Sequence, residues 1–246
     1  VLTGVTLVRN GDKLKYPWRQ CIYSLAKLCD HVIVNCDPAS EDRTLEKIHW
    51  LHERMKNTAV SVLHSTWDMG ITMGEELATQ ANKILPLVSK KTDWIVYMQA
   101  DEMIHEKDFY FLKEYLGQLP ANVSQVELYR TYFWKNLKRR APAHETWLGR
   151  IFRPGTHVVG GDGMYLVRRS GGVQRAPYWI YHYSRMGQEE DVTARIRNLD
   201  HMFHPEDEVA NFAPFKYDEA DTLVGYTGTH PHGIEEFYGK CTNYRG

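Results

Sequence analysis

A chain of 246 residues with 43% hydrophobic and 25% charged side chains is long enough for one large domain or two small ones, and too apolar to be disordered throughout. Lys plus Arg number 30 against 31 Asp plus Glu, and the resulting net charge of −1 argues against a counterion-releasing nucleic-acid binder. No run of about 18 apolar residues occurs, so no membrane-spanning helix is expected. In chain order, residues 5–8 are a β-branched apolar run that reads as a strand, closed by Arg9-Asn10-Gly11-Asp12. Pro17 suits the first position of a helix carrying Trp18, Ile22, Leu25 and Cys29 on one face. Residues 31–36 predict a second strand, followed by a helix capped by Ser40 or Asp42 and running to about Lys56. Residues 60–63 predict a third strand, and a helix from about Met73 buries Leu77, Ala81, Leu85 and Val88. Residues 94–98 are apolar without alternation, as in a central strand buried on both faces.

This alternation of strands with helical patterns predicts β-α-β units and a parallel sheet. A short helix from about Lys107 comes next. The second half then reads as strands at 125–130, 147–153, 164–168 and 178–183, a helix over 189–204 and an aromatic tail after Pro205. Cys21, Cys29, Cys36 and Cys241 lack zinc-site spacing and read as buried thiols. The first residues lack a signal-peptide pattern, which with the thiols predicts a reducing cytoplasm, although a removed leader stays open. Asn122-Val-Ser124 matches the glycosylation sequon, a motif that arises often by chance.

In open α/β sheets ligands bind beyond the carboxyl ends of the strands. Those ends carry Val8-Arg9-Asn10, Asp37 and Gln99-Ala100-Asp101-Glu102. Two adjacent carboxylates at the end of a buried strand are costly without a counter-charge, which Mg²⁺ or Mn²⁺ with substrate phosphates supplies. Ordinary helix capping is the competing reading of Asp101-Glu102. Asp37 reads either as a base or ribose contact or as a turn acid. Trp134 and Trp147 are candidate platforms for an acceptor sugar, against a reading as core. Lys135, Lys138, Arg139 and Arg140 read as a basic loop.

The segment Val34-Asn-Cys-Asp37-Pro-Ala-Ser40-Glu-Asp42-Arg-Thr44 resembles the Asp…Ser-x-Asp-x-Thr segment of family-2-like GT-A glycosyltransferases. Asp93-Trp-Ile-Val-Tyr-Met-Gln99-Ala-Asp101-Glu102 resembles their strand ending in the D-x-D metal motif, with Gln99 in place of the first acid. Trp147-Leu-Gly-Arg150-Ile-Phe-Arg153 and Tyr181-His182-Tyr-Ser184 resemble strands of lipopolysaccharide-core-type members, so the likeness covers about residues 3–185.

The resemblance implies an α/β fold of the GT-A, Rossmann-like type. Its mostly parallel central sheet is flanked by helices and followed by a mixed-strand acceptor-side half. Residues 1–246 are then one domain, with a nucleotide-sugar half over about 1–105 and an acceptor half over about 106–246. The implied reaction moves a sugar from a UDP- or GDP-sugar to a carbohydrate acceptor, with inversion and a divalent metal. Val8, Arg9, Asn10, Asp37, Gln99, Ala100 and Asp101 would bind the nucleotide sugar. Asp101 and His182 would hold Mn²⁺ or Mg²⁺, and Glu102, Trp134, Trp147 and Arg150 would face the acceptor. Asp162, between glycines, is the first candidate for the catalytic base and Glu145 the second. A sugar-phosphate nucleotidyltransferase and a non-catalytic carbohydrate-binding domain are the rival readings.

Overall fold

The computed structural model describes residues 1–55, 59–71, 73–160, 165–167, 171–218 and 222–241. In chain order the strands are β1 (Leu2–Val8), β2 (His31–Cys36), β3 (Ala59–His64), β4 (Trp94–Tyr97), β5 (Glu102–Ile104), β6 (Val123–Arg140), β7 (Thr146–Phe152), β8 (His157–Val159), β9 (Tyr165–Val167), β10 (Gly172–Met186) and β11 (Val224–Gly225). The helices are α1 (Trp18–Leu28), α2 (Thr44–Arg54), α3 (Glu75–Ile84), α4 (Phe109–Gln118), α5 (Glu189–Asp200), α6 (Glu206–Val209) and α7 (Ile234–Cys241).

The main sheet has the order β3-β2-β1-β4-β7-β6-β10-β5, with β11 added on β6, while β8 and β9 pair separately. β3, β2, β1 and β4 are mutually parallel, as the β-α-β pattern predicts. The unbroken apolar run of β4 is buried at all four residues, between β1 and β7. Side chains alternate between two cores. Val32 and Val34 of β2 and Val96 of β4 join Trp18, Ile22 and Leu25 of α1 on one face. Ile33 and Ile95 join Ala78, Ala81 and Ile84 of α3 on the other.

The topology beyond β4 gathers the second half at the same edge. β7 runs antiparallel to both β4 and β6, so β6 regains the direction of β1 and β4. β10 is parallel to β6, and short β5 returns antiparallel along β10. The later residues of β6 and β10 therefore arrive beside the carboxyl ends of β1 and β4. One sheet thus runs through both sequence halves.

Among the boundaries that differ from expectation, two lie in the second half. The basic stretch Lys135 to Arg140 is not a loop but the far half of β6, where β10 and β11 supply pairing that local polarity does not reveal. The helix expected near Lys107 begins at Phe109, after a single 3₁₀ turn over Glu106–Asp108.

Cys21, Cys29 and Cys36 are buried thiols, as expected. Burial raises all three above the usual thiol range, Cys36 up to about 12. Because the thiolate is the nucleophile, iodoacetamide at about pH 8 should leave these three unmodified in the native protein and modify them in denaturant. Intact mass and peptide mapping check this.

Candidate functional site

The exits of β1 and β2 are tied together by short polar loops. Asn10 takes a left-handed φ of 51°. Its backbone N–H donates to Ser40 Oγ at 3.3 Å, and its Oδ1 accepts from Glu41 N at 2.7 Å. Asp42 accepts from Thr44 N and Lys13 N, and Thr44 Oγ1 accepts from Asp12 N. Ser40, Asp42 and Thr44 therefore do turn and capping work that fixes the loop after β1. Asp37 is 1% exposed, accepting from Arg9 Nε at 2.9 Å and from Ala39 N at 2.9 Å. Its charge reaches the sheet edge through Arg9.

At the exit of β4, Glu102 turns inward. Its carboxylate takes Arg150 Nε at 2.7 Å and Nη2 at 2.9 Å, and also accepts from Gln99 N at 3.1 Å. Both side chains are 0% exposed. A bidentate pair in such a place locks the 99–102 turn onto β7. Glu102 and Arg150 are thus corrected from acceptor contacts to buried supports. Asp101, the preceding residue, points the other way. His182 pairs with Glu102 in the β10–β5 register, which brings its Nε2 to 3.6 Å from Asp101 Oδ2.

A pocket of about 300 Å³ opens at this edge, at the lower end of the usual range for small-molecule sites. Its apolar wall is Leu7, Trp67, Leu77, Tyr97, Leu199 and Met202. Its polar wall includes Arg9, Gln99, Asp101, Arg130, His182, Ser184, Arg185 and Arg195. Helix α5 covers it with Arg195, Asn198 and Leu199. Tyr132 Oη meets Ser184 Oγ at 2.6 Å, and Ser184 Oγ lies 3.4 Å from His182 Nδ1. Burial, followed by the charges of Arg130, Arg185, Arg150 and Arg195, holds the His182 imidazole well below its ordinary pKa. It is therefore neutral at pH 7, the form that ligates metals. Asp101 and His182 would offer a divalent cation one oxygen and one nitrogen donor. Among the described residues no group of three acid, His or Cys side chains adds to this pair.

Of the sequence-predicted residues, Arg9, Gln99, Ala100, Asp101 and His182 line the pocket. Val8, Asn10 and Asp37 are buried behind it. Glu145 is held by Arg140 Nη1 at 2.9 and 3.2 Å and accepts from Tyr132 N at 3.4 Å, an arrangement that spends its carboxylate. Asp162 lies outside the described residues. Trp134 is 6% exposed, stacked on His144 at 5.1 Å and packed by Phe215 and Tyr217, so it is core and not an open platform. Trp147 is half-buried between Tyr129 and Arg175, away from the pocket. Sequence reasoning missed Trp67, Arg130, Tyr132, Arg185 and Arg195. Alternation along β6 puts Arg130 and Tyr132 on one face, a signal that was present; nothing local marks Trp67 or the two arginines from β10 and α5.

Four parallel strands with helices on both faces, a reversed β7 and an acid-bearing turn after β4 make this a GT-A glycosyltransferase-like fold. No protein-family model matches the sequence, and no curated protein matches it. Among solved structures, the chain is similar to Staphylococcus aureus TarS 1-349 in complex with UDP-GlcNAc, with a TM-score of 0.50 and 15% identity over 80% of this chain and 65% of that one. It spans just under two thirds of that structure, and at this identity the likeness speaks to the fold alone. Weaker likenesses are to the mannosyltransferase PcManGT from Pyrobaculum calidifontis in complex with GDP-Man and Mn²⁺ (TM-score 0.41, 17% identity, 52% of this chain and 34% of that one). Another is to 4-diphosphocytidyl-2C-methyl-D-erythritol synthase from Anaerococcus prevotii (TM-score 0.47, 9% identity, 81% and 98%). Among the described residues no helix is long and apolar enough to cross a membrane.

Proposed function

We propose that the protein is a nucleotide-sugar-dependent glycosyltransferase, taking a UDP- or GDP-sugar in the edge pocket and passing the sugar to a carbohydrate acceptor. The observation that carries this reading is the two-sided pocket beyond the parallel strands. Its apolar wall, with Trp67 from the segment after β3, suits a nucleoside. Its guanidinium-rich wall, from β6, β10 and α5, suits a diphosphate.

Breaking the bond between sugar and diphosphate develops negative charge on the leaving phosphates, while the sugar becomes oxocarbenium-like, by analogy with glycoside hydrolysis. Fixed guanidiniums aimed at that charge lower the barrier without reorganising during the step. Asp101 and His182 would hold Mn²⁺ or Mg²⁺, which when bound supplies Lewis-acid stabilisation of the leaving diphosphate. An inverting transfer also needs a base facing the acceptor hydroxyl. Asp162 remains the sequence's candidate for it, since Glu145 is committed to Arg140.

Calorimetry with UDP and GDP, followed by donor hydrolysis with UDP- and GDP-sugars in Mn²⁺, tests the reading. Binding of one nucleoside diphosphate and slow release of free sugar are expected. Binding of glycans with no nucleotide binding would favour a carbohydrate-binding domain instead. Pyrophosphate release from a nucleoside triphosphate and a sugar phosphate would favour a nucleotidyltransferase.

A further inference from the structure

The charge balance of the pocket carries an inference that rests on the donor reading and goes beyond it. Among the described lining residues, Arg9, Arg130, Arg185 and Arg195 face a single carboxylate, that of Asp101. Arg9 is paired with Asp37 behind the wall. Arg195 is 2% exposed and, among the described residues, donates to neutral oxygens: to Lys15 O at 3.5 Å and to Met186 O. Its buried Nε has no acceptor among the described residues. The half-buried Arg185 guanidinium lies 5.7 Å from the Phe215 ring centroid, with the Asp200 carboxylate within electrostatic range. Neutral acceptors orient a guanidinium without compensating its charge, and an uncompensated buried cation is costly. The buried Trp67 Nε1, also on the wall, likewise has no acceptor among the described residues. A pocket with excess fixed cations and orphaned donors is matched by an anionic ligand rich in acceptor oxygens.

We propose that Arg185 and Arg195, with Arg130 beside them, form a diphosphate clamp that binds the donor's phosphates without needing a divalent cation. Three elements deliver these residues to one place: β6 supplies Arg130, the end of β10 supplies Arg185, and α5 supplies Arg195 from above. The planar fork of Arg suits phosphate oxygens better than an ammonium does, and its weak hydration suits a buried wall. Diphosphate affinity then resides in the arginines, and a metal at Asp101 and His182 acts on turnover more than on binding.

The test is calorimetry on the full chain with inorganic pyrophosphate, UDP and GDP, each in EDTA and in Mn²⁺. Wild-type protein should bind pyrophosphate and one nucleoside diphosphate in EDTA, within about tenfold of the affinity in Mn²⁺. Arg185→Gln, at a half-buried position, should weaken both in EDTA by about tenfold or more, the scale of one charge-assisted contact, with an unchanged melting temperature. Arg195→Lys, which keeps the charge and loses the fork, should weaken them less. Nucleotide binding only in Mn²⁺, or full affinity in Arg185→Gln, would overturn the clamp and leave the donor reading standing. Pyrophosphate binding without any nucleoside diphosphate binding would leave the clamp standing and overturn the donor reading. Binding of neither overturns both.

Discussion

Replacing Glu102 by Gln lowers the melting temperature by about 6–20 °C, although the side chain keeps its size. The cause is the Arg150 guanidinium, which is 0% exposed and depends on the Glu102 carboxylate for two hydrogen bonds and its counter-charge. Removing one partner of a buried pair costs about 3–5 kcal/mol. For a chain of this size each kcal/mol shifts the midpoint by about 2–4 °C. The paired apolar replacement, Glu102→Leu with Arg150→Met, should recover most of the loss, because it removes both desolvated charges together. Thermal unfolding of the two variants decides it. Equal losses in the single and double variants would mean that shape and not charge holds this turn.

Asp101→Asn should cut turnover of the sugar nucleotide by about 10²–10³-fold, the scale on which one electrostatic stabiliser contributes to a transition state. The variant should remain folded, because the Glu102 contacts to Arg150 and Gln99 N that anchor the 99–102 turn are untouched. Binding of UDP or GDP in EDTA should be equal or tighter in the variant. The lost carboxylate faces the pocket arginines, so it would repel a diphosphate held by them. A large kcat effect with preserved nucleotide affinity is therefore the expected signature. Steady-state kinetics beside calorimetry in EDTA measures both. Unchanged kcat would remove Asp101 from the chemistry.

The first half of the fold was readable because each element there is locally consistent. The 94–98 run has no polar alternation, so it could only be central, and a strand end bearing acids is a recognisable place for a ligand. The position of Asp101 and His182 at the pocket edge was readable on the same grounds together with the resemblance. Glu102 was read as an acceptor contact beside Asp101; adjacent positions at a strand start face opposite ways, and Glu102 faces the buried Arg150. Trp134 and the basic stretch after it were misread because the far half of β6 owes its strand state to β10 and β11, which only the folded sheet supplies. The clamp arginines stand on three elements far apart in sequence. Their convergence depends on the reversal at β7 and the parallel β6–β10 pairing, neither of which leaves a local mark.

A crystal structure of the protein with bound UDP or GDP tests the central claim most directly. The base is expected against Leu7, Trp67 and Leu77, and the diphosphate between Asp101 and the guanidiniums of Arg185 and Arg195. A nucleotide seated elsewhere, or a diphosphate with no contact to Arg185 or Arg195, would contradict it.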